Sequence, residues 1–260
     1  MARRNLGDCR GLLTGASSGI GRALALELVR AGARLVVVAR RPERLEELAA
    51  QLQGAPGKLE IVVGDVTDPE LRTAALRRAE QAFGGLNLLI NNAGMGAMGS
   101  FIEAGPERLR QVLEVNFFAA AELTRLAVPL LKASKHPMVV NVGSVLGHRG
   151  IPNCAEYCAS KFALQGLSES LRAEFVPLGI DLLVVSPART QTEFFDQALG
   201  ERAPAWPGMR GMTSEAVAKK IKRAIQAGRH EIVISAGGKL LVWSSKLFPR
   251  VLDYFLARNT

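Results

Sequence analysis

The chain has 260 residues, 48% of them apolar, with three cysteines, three histidines and a formal net charge of +9. That length and apolar share suit one large α/β domain, and with no run of eighteen or more apolar residues a membrane-spanning helix is excluded. The odd cysteine count without Cys-x-x-Cys spacing argues against a disulfide framework or a zinc site. The spread of Lys and Arg lacks the dense run of a nucleic-acid-binding tail.

Short apolar runs at 11–14, 34–39, 60–64, 87–91, 138–143, 181–186 and 231–235 alternate with segments of helical period at 19–31, 42–53, 69–83, 106–132, 157–176 and 214–227. Strands rich in Val, Leu and Ile without polar alternation are buried on both faces. This predicts a doubly wound, three-layer αβα fold with a parallel sheet of the Rossmann type, in a single domain over 1–236. Residues 188–213 are too long for an ordinary connection and are expected to form a substrate loop. The first ten residues lack the apolar run of a secretory signal, so a cytoplasmic location is expected.

Gly15, Gly19 and Gly21 follow the first apolar run and open the first helical segment. In that setting Gly15 permits a tight turn, Gly19 lets backbone approach a dinucleotide pyrophosphate, and Gly21 lets helix pack on strand, with the helix N-terminus offering N–H groups to the phosphates. The second strand ends in Arg40 and Arg41, where an acid would instead bind a ribose 2′-hydroxyl. An arginine fork pairs with a 2′-phosphate, so NADP is expected over NAD.

Tyr157 and Lys161 lie one helical turn apart and so share a face. A neighbouring ammonium favours the phenolate and moves a tyrosine toward working pH as a general acid or base. Ser144, at a strand end, would hydrogen-bond a carbonyl oxygen and stabilise the charge developing there. Cys154 and Cys158 flank Tyr157 without a nearby His to activate them, and read as pocket lining and helix packing.

The glycine turn, Asn91-Asn92-Ala93-Gly94, Ser144 and Tyr157-x-x-x-Lys161 stand in an order that closely resembles the short-chain dehydrogenase/reductase family over about residues 8–236. The resemblance implies Asn116, Ser144, Tyr157 and Lys161 as catalytic residues, with Lys161 also holding the nicotinamide ribose and Asn116 supporting a water in a proton relay. It implies a cofactor surface of Gly15, Ser17, Ser18, Gly19, Ile20, Gly21, Arg40, Arg41, Asp65, Val66, Asn92, Ala93, Gly94, Tyr157, Lys161, Pro187, Thr190 and Thr192. Asp65 corresponds to the adenine-contacting acid. Asn91 and Asn92 are expected to stabilise their own turn. Where the family has Pro-Gly, this chain has Pro187-Ala188.

The resemblance further places a substrate cleft among the segments after Gly94, Ser144 and Pro187. Its lining includes Met95, Met98, Val145, Leu146, Ile151, Cys154, Phe194, Phe195, Trp206 and Met212, with Arg149 and Arg189 able to meet an anionic group. A hydrophobic ketone, aldehyde or secondary alcohol is the expected substrate. Reduction of a 3-oxoacyl thioester and a non-catalytic, cofactor-sensing role stay open as alternatives. A homodimer or homotetramer pairing 106–132 and 157–176 is implied. The extension 237–260 carries Leu240, Trp243, Leu247, Val251, Tyr254 and Phe255 near helical spacing among basic residues, with a break expected at Pro249. Such a segment suits peripheral membrane contact through 239–258, or packing on the cleft or on a partner subunit.

Overall fold

Every unbroken apolar run becomes a strand of one parallel sheet. The computed structural model describes residues 4–200 and 211–258. In chain order the first elements are β1 (Arg10–Thr14), α1 (Gly19–Val29), β2 (Arg34–Ala39), α2 (Pro42–Ala50), β3 (Lys58–Val63), α3 (Pro69–Phe83) and β4 (Leu88–Asn91). A short β5 (Ala97–Met98) precedes α4 (Pro106–Leu113), a widened π turn at Glu114–Phe118, and α5 (Ala119–Lys132). Then come β6 (Met138–Val142), α6 (Ala155–Glu174), β7 (Asp181–Pro187), and the two-residue strands β8 (Thr190–Gln191), β9 (Leu199–Gly200) and β10 (Met212–Thr213). The described chain closes with α7 (Ser214–Gln226), β11 (Glu231–Ile234), α8 (Ala236–Leu247) and α9 (Pro249–Ala257).

Seven strands pair in the order β11-β7-β6-β4-β1-β2-β3, all parallel. From β1 the chain proceeds to β2 on one side, and it returns as β4 on the other. A crevice therefore opens at the carboxyl ends of β1 and β4.

Alternate strand residues sort to opposite faces. Leu13, Leu35, Val37 and Ile90 meet Leu24 and Leu28 of α1 and Ile221 and Ile225 of α7, while Leu12, Val36, Leu89 and Val139 meet Phe83 of α3 and Leu123 and Leu131 of α5. Truncating one such leucine to Ala would cost about 2–5 kcal/mol.

Three features differ from the sequence-based expectation or refine it. Residues 106–132 are not one regular helix, because the turn at Glu114–Phe118 separates α4 from α5. Residue 237, the expected start of the extension, lies within the first turn of α8. There the Gly238 N–H donates to Ser235 Oγ at 3.0 Å, and Val242 is buried. Finally, α8 ends at Leu247 and α9 starts at Pro249. No helix among the described residues is long and apolar enough to cross a membrane. Trp206, expected to line the cleft, lies outside the described residues.

Candidate active site

The turn after β1 passes through Gly15 (φ 71°) and Gly19 (φ 52°), both in the left-handed region. A Cβ on Gly15 would lie 2.8 Å from Ala93 Cα, and one on Gly21 only 2.2 Å from the Gly15 carbonyl oxygen. Bare backbone is thus required for turn, helix and the segment after β4 to touch. Asn92 stitches that contact, as its Nδ2 donates to the carbonyls of Thr14 (2.9 Å) and Gly15 (3.1 Å). Thr14 Oγ1 accepts from the N–H groups of Asn92 and Ala93, each at 3.0 Å. Asn91 points elsewhere, donating to Thr124 Oγ1 and Asn141 Oδ1 inside the core at 2.9 and 2.8 Å.

Helix α1 starts at this turn with Ser18 extended before it, no side-chain cap and no acid in its first turn. Its N-terminal N–H groups and positive dipole end stand where Gly19 and Ile20 enter the helix. These features fit the pyrophosphate of a dinucleotide.

Beyond β2, Arg41 lies against the glycine turn: its Nε and NH2 donate to Ser17 Oγ at 3.3 and 3.1 Å, and its NH1 donates to Glu193 Oε2 at 3.0 Å. Arg40 is largely exposed, 3.7 Å from Asp65. Asp65 accepts from the N–H and hydroxyl of Thr67, each at 2.9 Å, and the next carbonyl, of Val66, accepts from Arg72 at 2.8 Å. These bonds fix the loop after β3 beside the adenosine end of the expected cofactor surface.

Ser144 follows β6 and caps a tight 3-10 turn at Val145–Gly147, its Oγ accepting from the Leu146 N–H at 3.1 Å. That turn lies flat on α6: a Cβ at Gly147 would come within 2.8 Å of the Lys161 carbonyl oxygen. Tyr157 and Lys161 project from α6 and are both buried. Burial pushes the Tyr157 phenol well above its ordinary value, and its hydrogen bond with Ser144 works in the opposite sense. Lys161 donates to the Val142 carbonyl at 3.0 Å, lies 5.8 Å from the Tyr157 ring centroid, and is pushed down to about 8 by burial. A buried amine with a lowered pKa and a buried phenol hydrogen-bonded to a serine hydroxyl form a constellation able to move one proton.

Asn116 sits in the widened turn and is wholly occupied by the protein. Its Oδ1 accepts from the Met95 N–H at 2.8 Å, and its Nδ2 donates to the Met95 carbonyl and to Ser160 Oγ, both at 2.9 Å. It thereby anchors the segment after Gly94 to α6. A Cβ on Gly94 would stand 3.1 Å from Asn116 Oδ1 and 3.7 Å from Lys161 Nζ, so glycine keeps this space open.

After Pro187 and Ala188, Thr190 Oγ1 donates to the Ala188 carbonyl at 3.1 Å and Thr192 faces Gly19, its methyl 2.9 Å from where a Cβ would be. Phe194 and Phe195 pack edge-on over the Tyr157 ring at centroid separations of 5.7 and 6.4 Å. Of the expected anion-meeting residues, Arg149 is paired with Asp253 of α9. Cys154 and Cys158 are buried free thiols, and burial raises both, Cys154 to about 11, so neither is a ready nucleophile.

Two residues of the site escaped the sequence reading. Ser160 is fully buried and donates to the Tyr157 carbonyl at 2.7 Å while accepting from Asn116. Only its position three residues after Tyr157 hinted at this. Glu193 meets Arg41 across 152 residues of chain, and no local spacing announces such a contact.

Comparison with known proteins agrees with the geometry. The short chain dehydrogenase family model matches residues 11–202. An uncharacterised oxidoreductase, YusZ, of Bacillus subtilis is 36% identical over 191 residues, covering 72% of this chain and 67% of the relative. A 3beta-hydroxysteroid dehydrogenase of Mediterraneibacter gnavus is 35% identical over 188 residues, covering 72% and 68%. The crystal structure of a short-chain dehydrogenase from Streptomyces avermitilis superposes with a TM-score of 0.80 at 29% identity, over 95% of this chain and 96% of that one. With the glycine turn, the Ser144–Tyr157–Lys161 cluster and the seven-stranded sheet in their places, this chain belongs to the short-chain dehydrogenase family, whose members are oxidoreductases that bind a nicotinamide dinucleotide.

Proposed function

We propose that the protein uses NADPH to reduce a hydrophobic ketone or aldehyde, or NADP to oxidise the corresponding secondary alcohol. The observation that carries the reading is the buried Ser144–Tyr157–Lys161 cluster beneath Phe194 and Phe195. The dinucleotide, when bound, supplies or accepts the hydride. Ser144 binds the substrate oxygen and stabilises its developing charge. Tyr157 gives that oxygen a proton in reduction and removes one in oxidation. Lys161 holds positive charge near the phenol and so lowers the cost of its phenolate form. Asn116 positions these groups by tying the Met95 backbone to α6. Arg40 and Arg41 support the choice of the phosphorylated cofactor, because both are arginines where a ribose-binding acid would otherwise stand.

The apolar cover over Tyr157 and the name of the steroid dehydrogenase relative favour an uncharged hydrophobic substrate. A panel of ketones, aldehydes and secondary alcohols, followed by absorbance of the reduced nicotinamide with each cofactor, tests the reading. Tyr157→Phe keeps the ring but removes the transferable proton, so turnover should fall on the order of a thousandfold with cofactor still bound. Turnover within tenfold of the unaltered protein, or equal use of NADH, would contradict it.

Phe118, Leu126 and Phe162 are exposed in and beside α5 and α6. We propose that this face pairs two copies of the chain, since an exposed apolar face of this kind is covered in an isologous dimer. A monomeric mass by light scattering at micromolar concentration would contradict the pairing.

A further inference from the structure

The Arg41 guanidinium, which the proposed function assigns to the cofactor 2′-phosphate, is already engaged. Its NH1 donates to Glu193 Oε2 at 3.0 Å, and NH2 of Arg44 lies 3.8 Å from Oε1 of the same carboxylate. Gln197 Nε2 also donates to Glu193 Oε2 at 3.1 Å. Glu193 therefore occupies a basic niche floored by the Ser17 hydroxyl, which takes the other edge of the Arg41 fork. The Arg41 hydrogen bond holds the Glu193 carboxyl below the usual carboxylate range.

Its neighbours in sequence lie over the other parts of the site. Thr192 abuts Gly19 of the glycine turn, and Phe194 packs on the Tyr157 ring and lies 3.7 Å from where a Cβ on Gly94 would be. The Phe194 N–H donates to Thr192 Oγ1 at 3.3 Å, so the three residues form one short, internally bonded strap. It spans the expected cofactor surface from its phosphate-selecting end to the catalytic tyrosine. A carboxylate and a phosphate cannot share one edge of a guanidinium without strong repulsion, because like charges at hydrogen-bonding range oppose each other's ionised form.

We propose that Glu193 is a specificity-determining residue, an internal anion that a 2′-phosphate must displace from Arg41, and whose displacement lifts Phe194 from over Tyr157. A dinucleotide lacking that phosphate leaves Glu193 in place and the strap closed. Selection of the phosphorylated cofactor and opening of the substrate side are thereby one event, and the idea rests on the assignment of Arg41 to the 2′-phosphate.

The test uses cofactor fragments that cannot turn over. Adenosine 2′,5′-bisphosphate and adenosine 5′-monophosphate are titrated by calorimetry into the unaltered protein, Glu193→Gln and Arg41→Ala. Glu193→Gln keeps the shape but removes the competing charge, so it should bind the bisphosphate about tenfold tighter while its affinity for the monophosphate stays the same. In the unaltered protein the bisphosphate, and not the monophosphate, should speed amide hydrogen exchange in 192–199. Unchanged or weaker bisphosphate binding by Glu193→Gln overturns the proposal. If Arg41→Ala still loses affinity for the bisphosphate in that case, the assignment of Arg41 stands without it. If Arg41→Ala binds both fragments as the unaltered protein does, the assignment itself is wrong.

Discussion

Asn116 Nδ2 donates to Ser160 Oγ over 2.9 Å, and Ser160 donates in turn to the Tyr157 carbonyl over 2.7 Å. This two-bond path connects the widened turn to the helix that carries Tyr157 and Lys161. Ser160→Ala would leave the buried Asn116 amide with one partner fewer, at a cost of about 1–3 kcal/mol. Urea unfolding should show that loss. Turnover should also fall, by about tenfold, as Tyr157 drifts from its place, with affinity for adenosine 2′,5′-bisphosphate unchanged.

A second expectation concerns pH. Burial lowers Lys161 from 10.5 to about 8, so its folded pKa lies below its unfolded one. Between about pH 8 and about pH 10.4 the unfolded chain binds more protons than the folded one, and this group's contribution to stability rises with pH. Below that window the penalty for burying the charge is present in full. Lys161→Met removes the titration, so the stability of the unaltered protein relative to this variant should increase between pH 7.5 and pH 10 in urea titrations. For carbonyl reduction, kcat/KM should fall above about pH 8 as Lys161 loses the charge that assists Tyr157. A flat profile through pH 9 would count against that role.

The pair Arg108–Glu156 braces the same helix from outside the reacting groups. Glu156 is 1% exposed and receives two donors from Arg108, at 2.8 Å from Nε and 2.7 Å from NH2. The remaining Arg108 bonds run to the carbonyls of Met98 and Ser100 at 3.1 and 3.0 Å. Arg108→Ala should destabilise the protein by about 3–5 kcal/mol, because it strands a buried carboxylate. Adding Glu156→Leu should recover part of that loss, and thermal unfolding of the two variants measures both.

The pair α8–α9 exposes Leu240, Trp243, Leu247, Phe248 and Val251 beside exposed Lys239, Lys246 and Arg250, while Asp253 is neutralised by Arg149. We propose that this surface meets anionic lipid, since it joins exposed apolar side chains with exposed positive charge. The protein should sediment with vesicles containing phosphatidylserine, less so at high salt, and not with purely zwitterionic ones. Truncation after Leu247, which removes α9, should weaken the association. Equal sedimentation with both vesicle types, or none, would rule the contact out.

The sheet was legible in the sequence because buried parallel strands need runs of Val, Leu and Ile, as in 34–39 and 138–143. The turn at Gly15–Gly21 was equally open to reading, since only glycine tolerates its backbone angles and close contacts. The widened turn at Glu114–Phe118 was not. Glu-Val-Asn-Phe-Phe has the same composition whether its hydrogen bonds skip four residues or five, and what holds it is the distant pairing of Asn116 with Met95 and Ser160. The same limit hid Glu193: Asp65 stands in a motif, but an ion pair across most of the chain leaves no periodicity to detect.

The chain leaves β1 and β4 in opposite directions, and among the described residues the aromatic cover over Tyr157 comes from Phe194 and Phe195, in the segment that follows β7. Tyr157 and Lys161 on α6 and the two phenylalanines that pack over the tyrosine are consequently separate parcels of sequence. A chimaera that keeps everything through Pro187 and takes residues 188–200 from a relative should carry the same acid–base machinery to a different set of carbonyl compounds.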